Sequence, residues 1–355
     1  MTLGTKPTLY STSPHFVEAE HLFLQCLHWE GLDQIVARDP LRMREFEDAL
    51  EFALGEAFHT GEESEEPHRF LHRVLYAINR MKLFWYDDLD HYINENSTYL
   101  FAIRNRIESA WQDWENKSFA VERFENIDVN RALKQRVVAD LERQPSAEDV
   151  YIQKEMGEAG YRRLIEIASV GGLVEASQLS RMLGGVGNEV QSMLTRIFLE
   201  EYGGGRLNRK HSSFFLTMLE TLKLDTRPEA YLDRLPWQVL ANINLSFTLC
   251  EQKRNFLRYV GGLLYFETSA PLDFGTFKLA GERLGLPYDA WGYWDIHVKE
   301  DERHGRWMLD DVALPLIERY PERAWQMVFG YDEQKRFNER AGKATLASIQ
   351  KAETD

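Results

Sequence analysis

The segment from Trp291 to His304 contains His297, Asp301 and His304 in the spacing His-x3-Asp-x2-His. At about 100° per residue on a helix the three side chains fall within an arc of about 60°, so two imidazoles and a carboxylate converge. That donor mixture suits iron, manganese or zinc, and iron held this way is commonly used for redox chemistry on O2. With 10 His and 57 acidic residues in 355, the pattern arises by chance about 0.05 times per chain. It therefore outweighs the ordinary alternative, in which Asp301 pairs with His304 or Arg303 on a solvated helix face.

Two further places offer donors. Glu201 continues the apolar face of Val190, Leu194 and Ile197, which turns its carboxylate inward, where an unpaired charge is costly. Gly203, Gly204 and Gly205 then end that helix, and His211 opens the next, whose Phe214, Phe215 and Met218 face a core. In the third place, Gly171 to Ser177, small residues one turn before Glu175 allow another helix to approach closely. Taken singly, Glu201 reads as a cap or a paired core residue and Glu175 as half of a buried salt bridge. Taken together, Glu175, Glu201, His211, His297, Asp301 and His304 supply three carboxylates and three imidazoles from successive helices, the ligand count of a dinuclear site inside a helical bundle.

The elements that must position these donors are helical. Nearly every segment between breakers has helical spacing, and no alternating run flanked by turn dipeptides marks a hairpin, so the fold class is all-α. Helices are expected near 15–36, 40–58, 67–84, 88–115 and 127–143. Gln144-Pro145-Ser146 then forms a linker in which Ser146 caps a new helix with Asp149 in capping-box position, and divides residues 1–145 from residues 146–355. The second unit is expected to hold helices at 147–183, 187–202 and 207–223, one from Pro236 through Phe266, a short one from Pro271 and the donor-rich one from Pro287. The tail from Lys335 is polar enough to read as a frayed helix.

Composition narrows the function. A net charge of -15, with no basic stripe, argues against nucleic acid as a partner. Cys26 and Cys250 are the only cysteines, which indicates a reducing compartment and excludes a four-thiolate metal site. No apolar run is long enough to span a bilayer and the start lacks a signal-peptide pattern, so a cytoplasmic protein without membrane contact is expected. Phe84, Trp85, Tyr86, Trp111 and Trp114 are more aromatic surface than one small unit is expected to bury, so residues 1–145 are read as a homodimerisation unit.

Against this background, residues from about 147 to 330 resemble the heme-oxygenase-like diiron oxidases and oxygenases. The most specific parts are Glu201-Tyr202-Gly203-Gly204-Gly205 with His211 ten residues after the Glu, and the His-x3-Asp-x2-His motif. Phe266-Glu267-Thr268-Ser269-Ala270-Pro271 and Leu284-Gly285-Leu286-Pro287 are similar to the connection before that last core helix. The resemblance implies a heme-oxygenase-like bundle with an N-terminal helical extension, two non-heme Fe, O2 as co-substrate and an external electron donor. It implies Glu175, Glu201, His211, His297, Asp301 and His304 as iron ligands and catalytic residues, with Glu201 bridging. Glu175, His211 and His304 are assigned to one iron, and His297 and Asp301 to the other. Tyr202, Tyr265 and Glu267 are read as polar neighbours of the site. The spacing, and three histidines rather than two, are closest to the N-oxygenase branch. The implied reaction is oxygenation of a nitrogen in a small amino-acid-derived metabolite, free or tethered to a carrier, in natural-product biosynthesis. The competing chemistry of the same fold is desaturation or C–C cleavage.

Other readings fit less well. A ferritin-like bundle uses two Glu-x-x-His motifs, and Glu18-His21, Glu56-His59, Glu65-His68 and Asp88-His91 have an acid at the required spacing. All four are expected on the surface. A true heme oxygenase would need a separate axial His and a glycine-kinked distal helix, and neither stands out. A non-enzymatic helical interaction protein would bind no iron.

Overall fold

The computed structural model describes residues 15–59, 64–86, 89–185 and 188–354, apart from the side chains of His59, Glu122, Asp301 and Glu302. Among the described residues there is no strand, and no helix is long and apolar enough to cross a membrane. Two compact units divide the chain. One takes the described residues of Met1–Ile78 and Asp88–Glu115, the other those of Asn79–Asp87 and Asn116–Asp355.

The first unit is built on α1 (Phe16–Cys26), α2 (Leu32–Arg38), α3 (Arg44–His59), α4 (Glu65–Asn79) and the start of α5 (Thr98–Phe119). The single helix expected at 15–36 is split because Gly31, at φ 70, takes a left-handed turn. The helix expected from 88 begins at Thr98, where Asp33 of α2 supplies the cap. Its carboxylate accepts from Ser97 Oγ at 2.6 Å, Thr98 N–H at 2.9 Å and Tyr99 N–H at 3.1 Å. Burial alone would raise the Asp33 pKa, but these donors hold it down from the ordinary 3.8 to about 2. A depressed folded-state value means that the stabilisation is complete above the unfolded value and is lost as pH falls towards 2. Asp33→Asn should therefore cost about 1–2 kcal/mol at neutral pH and almost nothing near pH 2, read by urea denaturation at both pH values. Equal losses at both would show that the charge is not the source.

His68, expected on the surface, is fully buried on α4, as is His72. Their rings lie against Trp114 and Trp111 respectively, at 5.2 and 4.9 Å between centroids. The apolar face of α4 accounts for this. Glu65 before His68 stays exposed, as do Glu18, His21 and Glu56, while His91 is half-buried. Asp88 and the side chain of His59 lie outside the described residues.

The second unit contains α6 (Val129–Leu141), α7 (Ala147–Lys154), α8 (Glu158–Gly172), α9 (Glu189–Glu201), α10 (His211–Thr221), α11 (Trp237–Glu251), α12 (Phe256–Arg283), α13 (Gly292–Trp307), α14 (Leu314–Arg319) and α15 (Trp325–Ala352). The boundary expected at 145 does not separate the compact units, because α6 is tied to α15. Arg136 donates to both oxygens of Asp332, at 2.6 and 2.7 Å, and Tyr331 donates to Asp140 at 2.8 Å. The Ser146 capping box is present, with Asp149 N–H donating to Ser146 Oγ at 3.1 Å and Ser146 N–H to Asp149 at 2.8 Å.

The helix expected at 147–183 is in fact α7 and α8, followed by irregular chain. Met156 drops into the core between the two helices, and α8 stops at Gly172. An added Cβ on Gly172 would lie 2.4 Å from the Phe215 ring, so α8 and α10 touch through the glycine. The helix expected from Pro236 to Phe266 is broken at Gln252, where the backbone is extended. Pro271 does not start a helix but lies inside α12. It has no N–H for the Glu267 carbonyl, and that oxygen instead lies against Gly305 of α13, 3.1 Å from where a Cβ would be. The tail is not frayed. Ile349 is fully buried, and Glu353 accepts from Tyr151 Oη at 2.9 Å.

The core beneath the donors joins Tyr161, Leu164, Phe215, Met218, Tyr293 and Trp294. Its buried polar atoms are satisfied: Trp294 Nε1 donates to Tyr161 Oη at 3.0 Å, which donates to the Ala290 carbonyl at 3.0 Å. This packing fixes the N-terminal half of α13, from which His297 projects.

Candidate metal centre

Four of the expected ligands meet directly. Glu175, Glu201, His211 and His297 each place one ligand atom within 4.8 Å of the others. Glu175 does not sit on a helix; it follows the end of α8 in a turn that closes with Ala176 at φ 59. Glu201 is the last residue of α9 and His211 the first of α10. Gly203, at φ 61 with the Arg209 carbonyl carbon 2.4 Å from an added Cβ, makes the tight return that brings them together. His211 Nδ1 is 2.8 Å from Glu201 Oε2 and 3.0 Å from His297 Nε2, which is 3.0 Å from Glu175 Oε1.

His304, two turns after His297 on α13, addresses the other oxygen of Glu201. Its Nδ1 is 3.3 Å from Glu201 Oε1 and 3.4 Å from Glu267 Oε2. Glu201 thus faces one imidazole with each oxygen, the stance of a bridging carboxylate. The grouping differs from the one implied by resemblance, since His297 joins Glu175 and His211, while His304 stands apart with Glu267. The register of α13 is the cause: His297 and His304 are seven residues apart, so they sit about 10 Å apart along one face. Asp301 lies on α13, but its side chain is outside the described residues.

Each ring has an outer partner on its second nitrogen. His297 Nδ1 donates to the Tyr293 carbonyl at 2.7 Å; His211 Nε2 is 3.1 Å from Glu300 and His304 Nε2 is 3.0 Å from Glu200. Such partners fix the tautomer of metal-bound histidines. With the proton on the outer nitrogen, each inner nitrogen aims a lone pair at carboxylate oxygens, an arrangement that requires a cation or added protons between them. Without a metal the protons fill that role. Burial opposes charge on His211 and His304, but the carboxylates prevail and lift both to about 11. Burial likewise would raise Glu201, and the two imidazoles hold it well below the usual carboxylate range. Glu267 is pushed up by burial, which His304 offsets only in part. Glu300 is drawn down by its hydrogen bond to His211.

The donors fit a pair of cations. An ion with ligand bonds of about 2.1 Å places neighbouring ligands about 3 Å apart, the spacing found here. Glu175 Oε1 accepts from Tyr293 Oη at 2.7 Å, while Oε2 is buried with no hydrogen-bond partner. A buried orphan oxygen is costly unless a cation takes it. Glu175, Glu201, His211 and His297 could hold one cation; His304 lies between Glu201 and Glu267 on one ring nitrogen and forms a second donor group with Glu200 and Glu300.

Sequence reasoning placed Glu267 only as a neighbour and did not single out Glu200 or Glu300 as partners. For Glu267 a signal existed: an acid in the apolar run of α12, four residues before Pro271. Glu300 is three residues after His297, on the same helical face. Glu200 carried no such signal, since it adjoins Glu201 and points about 100° away.

Residues 162–335 match the model of a family described as iron-containing redox enzyme. Over 155 residues, 42% of this chain, the sequence is 32% identical to the nitrosourea synthase of Streptomyces achromogenes subsp. streptozoticus. The aligned part is 31% of that protein's length, so the chain spans about a third of the relative.

Proposed function

We propose that this chain, whose residues 162–335 match the model of the iron-containing redox enzyme family, is a non-heme diiron N-oxygenase with a heme-oxygenase-like helical fold. Its substrate is a nitrogen-bearing, amino-acid-derived metabolite, free or carrier-tethered. The observation that carries the reading is Glu201, whose two oxygens face His211 and His304 separately. The likeness to a nitrosourea synthase favours nitrogen as the atom oxidised.

In an N-hydroxylation one oxygen atom of O2 enters an N–H bond and the other leaves as water. Two electrons and two protons come from an external donor. Bound iron would supply the redox chemistry on O2. The protein's own residues supply position and dryness. Tyr293 holds Glu175 through its hydroxyl and His297 through its carbonyl, so one residue orients two ligands. Phe274, 4.8 Å from the His297 ring, and Phe215, 4.9 Å from Tyr293, exclude water from that side.

Anaerobic loading with Fe(II) should give about two equivalents per chain, and isotope-labelled O2 should leave label on nitrogen in amine or guanidine substrates. An unlabelled alkene or a shortened carbon skeleton would replace N-oxygenation with desaturation or C–C cleavage. A chain that takes up no iron would return the reading to an interaction protein.

We also propose a homodimer through the N-terminal region, on residues other than the expected aromatics, most of which the chain itself covers. Trp85, Tyr86 and Trp111 are buried, whereas Leu41, Leu89, Ile93 and Phe101 of the first unit are exposed. Light scattering should give twice the chain mass, and Phe101→Lys should shift it to the monomer. A wild-type monomer ends the proposal.

A further inference from the structure

A cavity of about 680 Å3 lies in the second unit and includes Glu175, Glu201, Glu267 and His297 in its wall. A volume of this size suits a drug-sized molecule rather than a free amino acid. Much of the wall is apolar, with Ile167, Ile243, Leu249, Leu263, Phe266 and Phe274 among the lining residues.

Away from the metal ligands the wall is charged. Arg143 donates to Asp149 and to Asp273, at 2.8 Å each, while Lys335 pairs with Asp140. Three carboxylates thus share two cations. The other charged lining residues there, Glu148, Glu339 and Lys343, add two negative charges and one positive. This part of the wall is short of positive charge. Burial pushes Asp273 up to about 6 against the pull of Arg143, as expected of a carboxylate without enough cation beside it.

We propose that the cavity binds an elongated cationic amphiphile, with an ammonium or guanidinium head beside Asp273 and an apolar body that carries its other end to the Glu175–His297 cluster. The proposal rests on the diiron reading, which makes that cluster the reacting end. It refines the substrate from a small metabolite to an amine whose charged head lies six residues along α12 from Glu267, about 9 Å away, and is separate from the nitrogen that reacts at its other end.

Gly171 provides the test. It lines the cavity in the last turn of α8, and an added Cβ there meets nothing within 4 Å, so a larger residue fills the cavity without disturbing the helix. Iron-loaded protein is titrated calorimetrically with hexyl-, octyl- and decylammonium and with decanoate, and Fe(II) uptake is measured on every variant. Affinity for the ammonium ions should rise about fourfold per methylene, and decylammonium should bind at least tenfold more tightly than decanoate. Gly171→Leu should weaken decylammonium at least tenfold and Gly171→Ala only slightly, with iron uptake unchanged. Asp273→Asn should abolish the preference for ammonium over carboxylate. Normal iron uptake with no ammonium preference, or with Gly171→Leu binding as wild type, overturns this proposal alone. Ammonium binding without iron uptake overturns the diiron reading instead.

Discussion

Glu201→Gln should reduce iron uptake from about two equivalents to less than one and bring O2-dependent activity to background. The amide keeps the volume of the side chain but loses its charge and cannot bridge two cations. Both positions are affected because Glu201 Oε2 is 2.8 Å from His211 and Oε1 is 3.3 Å from His304. Loss of a partner outside the ligand set typically costs about 10–100-fold in metal affinity, so loss of a shared ligand should exceed about 100-fold. Glu200→Gln, which takes the charge from the outer partner of His304 and from its ion pair with Arg303, should stay within about 10–100-fold and is the natural control.

Proton linkage gives the same experiment a second readout. His211 and His304 in the metal-free chain have folded-state values raised from 6.5 to about 11. Their stabilising contribution is complete below the unfolded value and is lost as pH rises through the folded one. Iron must displace those protons, so wild-type Fe(II) affinity should strengthen as pH rises from 6 to 8. Glu201→Gln removes the carboxylate that raises both rings, and the pH dependence should flatten with it. Chelator competition at several pH values measures both effects. A variant that keeps two irons and the wild-type slope would show that Glu201 is an ordinary buried acid.

What could be read in the sequence was whatever one helix decides by itself. His297 and His304 share a face because seven residues make nearly two turns, and Glu201 continues an apolar face, so both were visible from spacing. The triple glycine announced the return that brings His211 back to Glu201. The place of Glu267 beside His304 was hidden because it depends on how α12 and α13 register against each other, with Gly305 allowing contact at the Glu267 carbonyl. One helix end failed for the same reason, since Asp33 caps α5 from another helix, 65 residues before Thr98. Gly157, the extended N-cap of α8, is by contrast the local break that separates α7 from α8. Pro271 misled because a helix tolerates proline where the carbonyl it leaves unbonded, here Glu267, lies against a neighbour.

The same dependence on helix contact makes two adjacent glycines of α12 differ sharply. On Gly261 an added Cβ would lie 2.0 Å from the Met327 carbonyl oxygen, and on Gly330 of α15 one would lie 2.0 Å from the Arg258 carbonyl oxygen. The contact is reciprocal and both obstacles are backbone, so no rotamer change relieves it and the helices must separate. Separation would loosen the Arg258–Glu333 pair, whose Glu333 is fully buried, and would shift Glu267 further along α12. Overpacking commonly costs about 1–3 kcal/mol; with rigid backbone on both sides, Gly261→Ala should cost about 4 kcal/mol or more, a large share of a typical total of about 5–15 kcal/mol. Gly262, one residue on, is different. Its nearest neighbour is the Gln334 side-chain oxygen at 3.4 Å, an ordinary contact with a flexible group. Alanine in mid-helix is favoured over glycine by about 0.5–1 kcal/mol, so Gly262→Ala should be neutral or slightly stabilising. Thermal unfolding of the two metal-free variants, followed by circular dichroism, should therefore separate them by about 8–20 °C, on the scale of about 2–4 °C per kcal/mol for larger domains. Iron uptake should survive in Gly262→Ala and fall in Gly261→Ala. Equal melting temperatures would mean that α12 and α15 do not cross at Gly261 and Gly330, and the position assigned to Glu267 would lose its support.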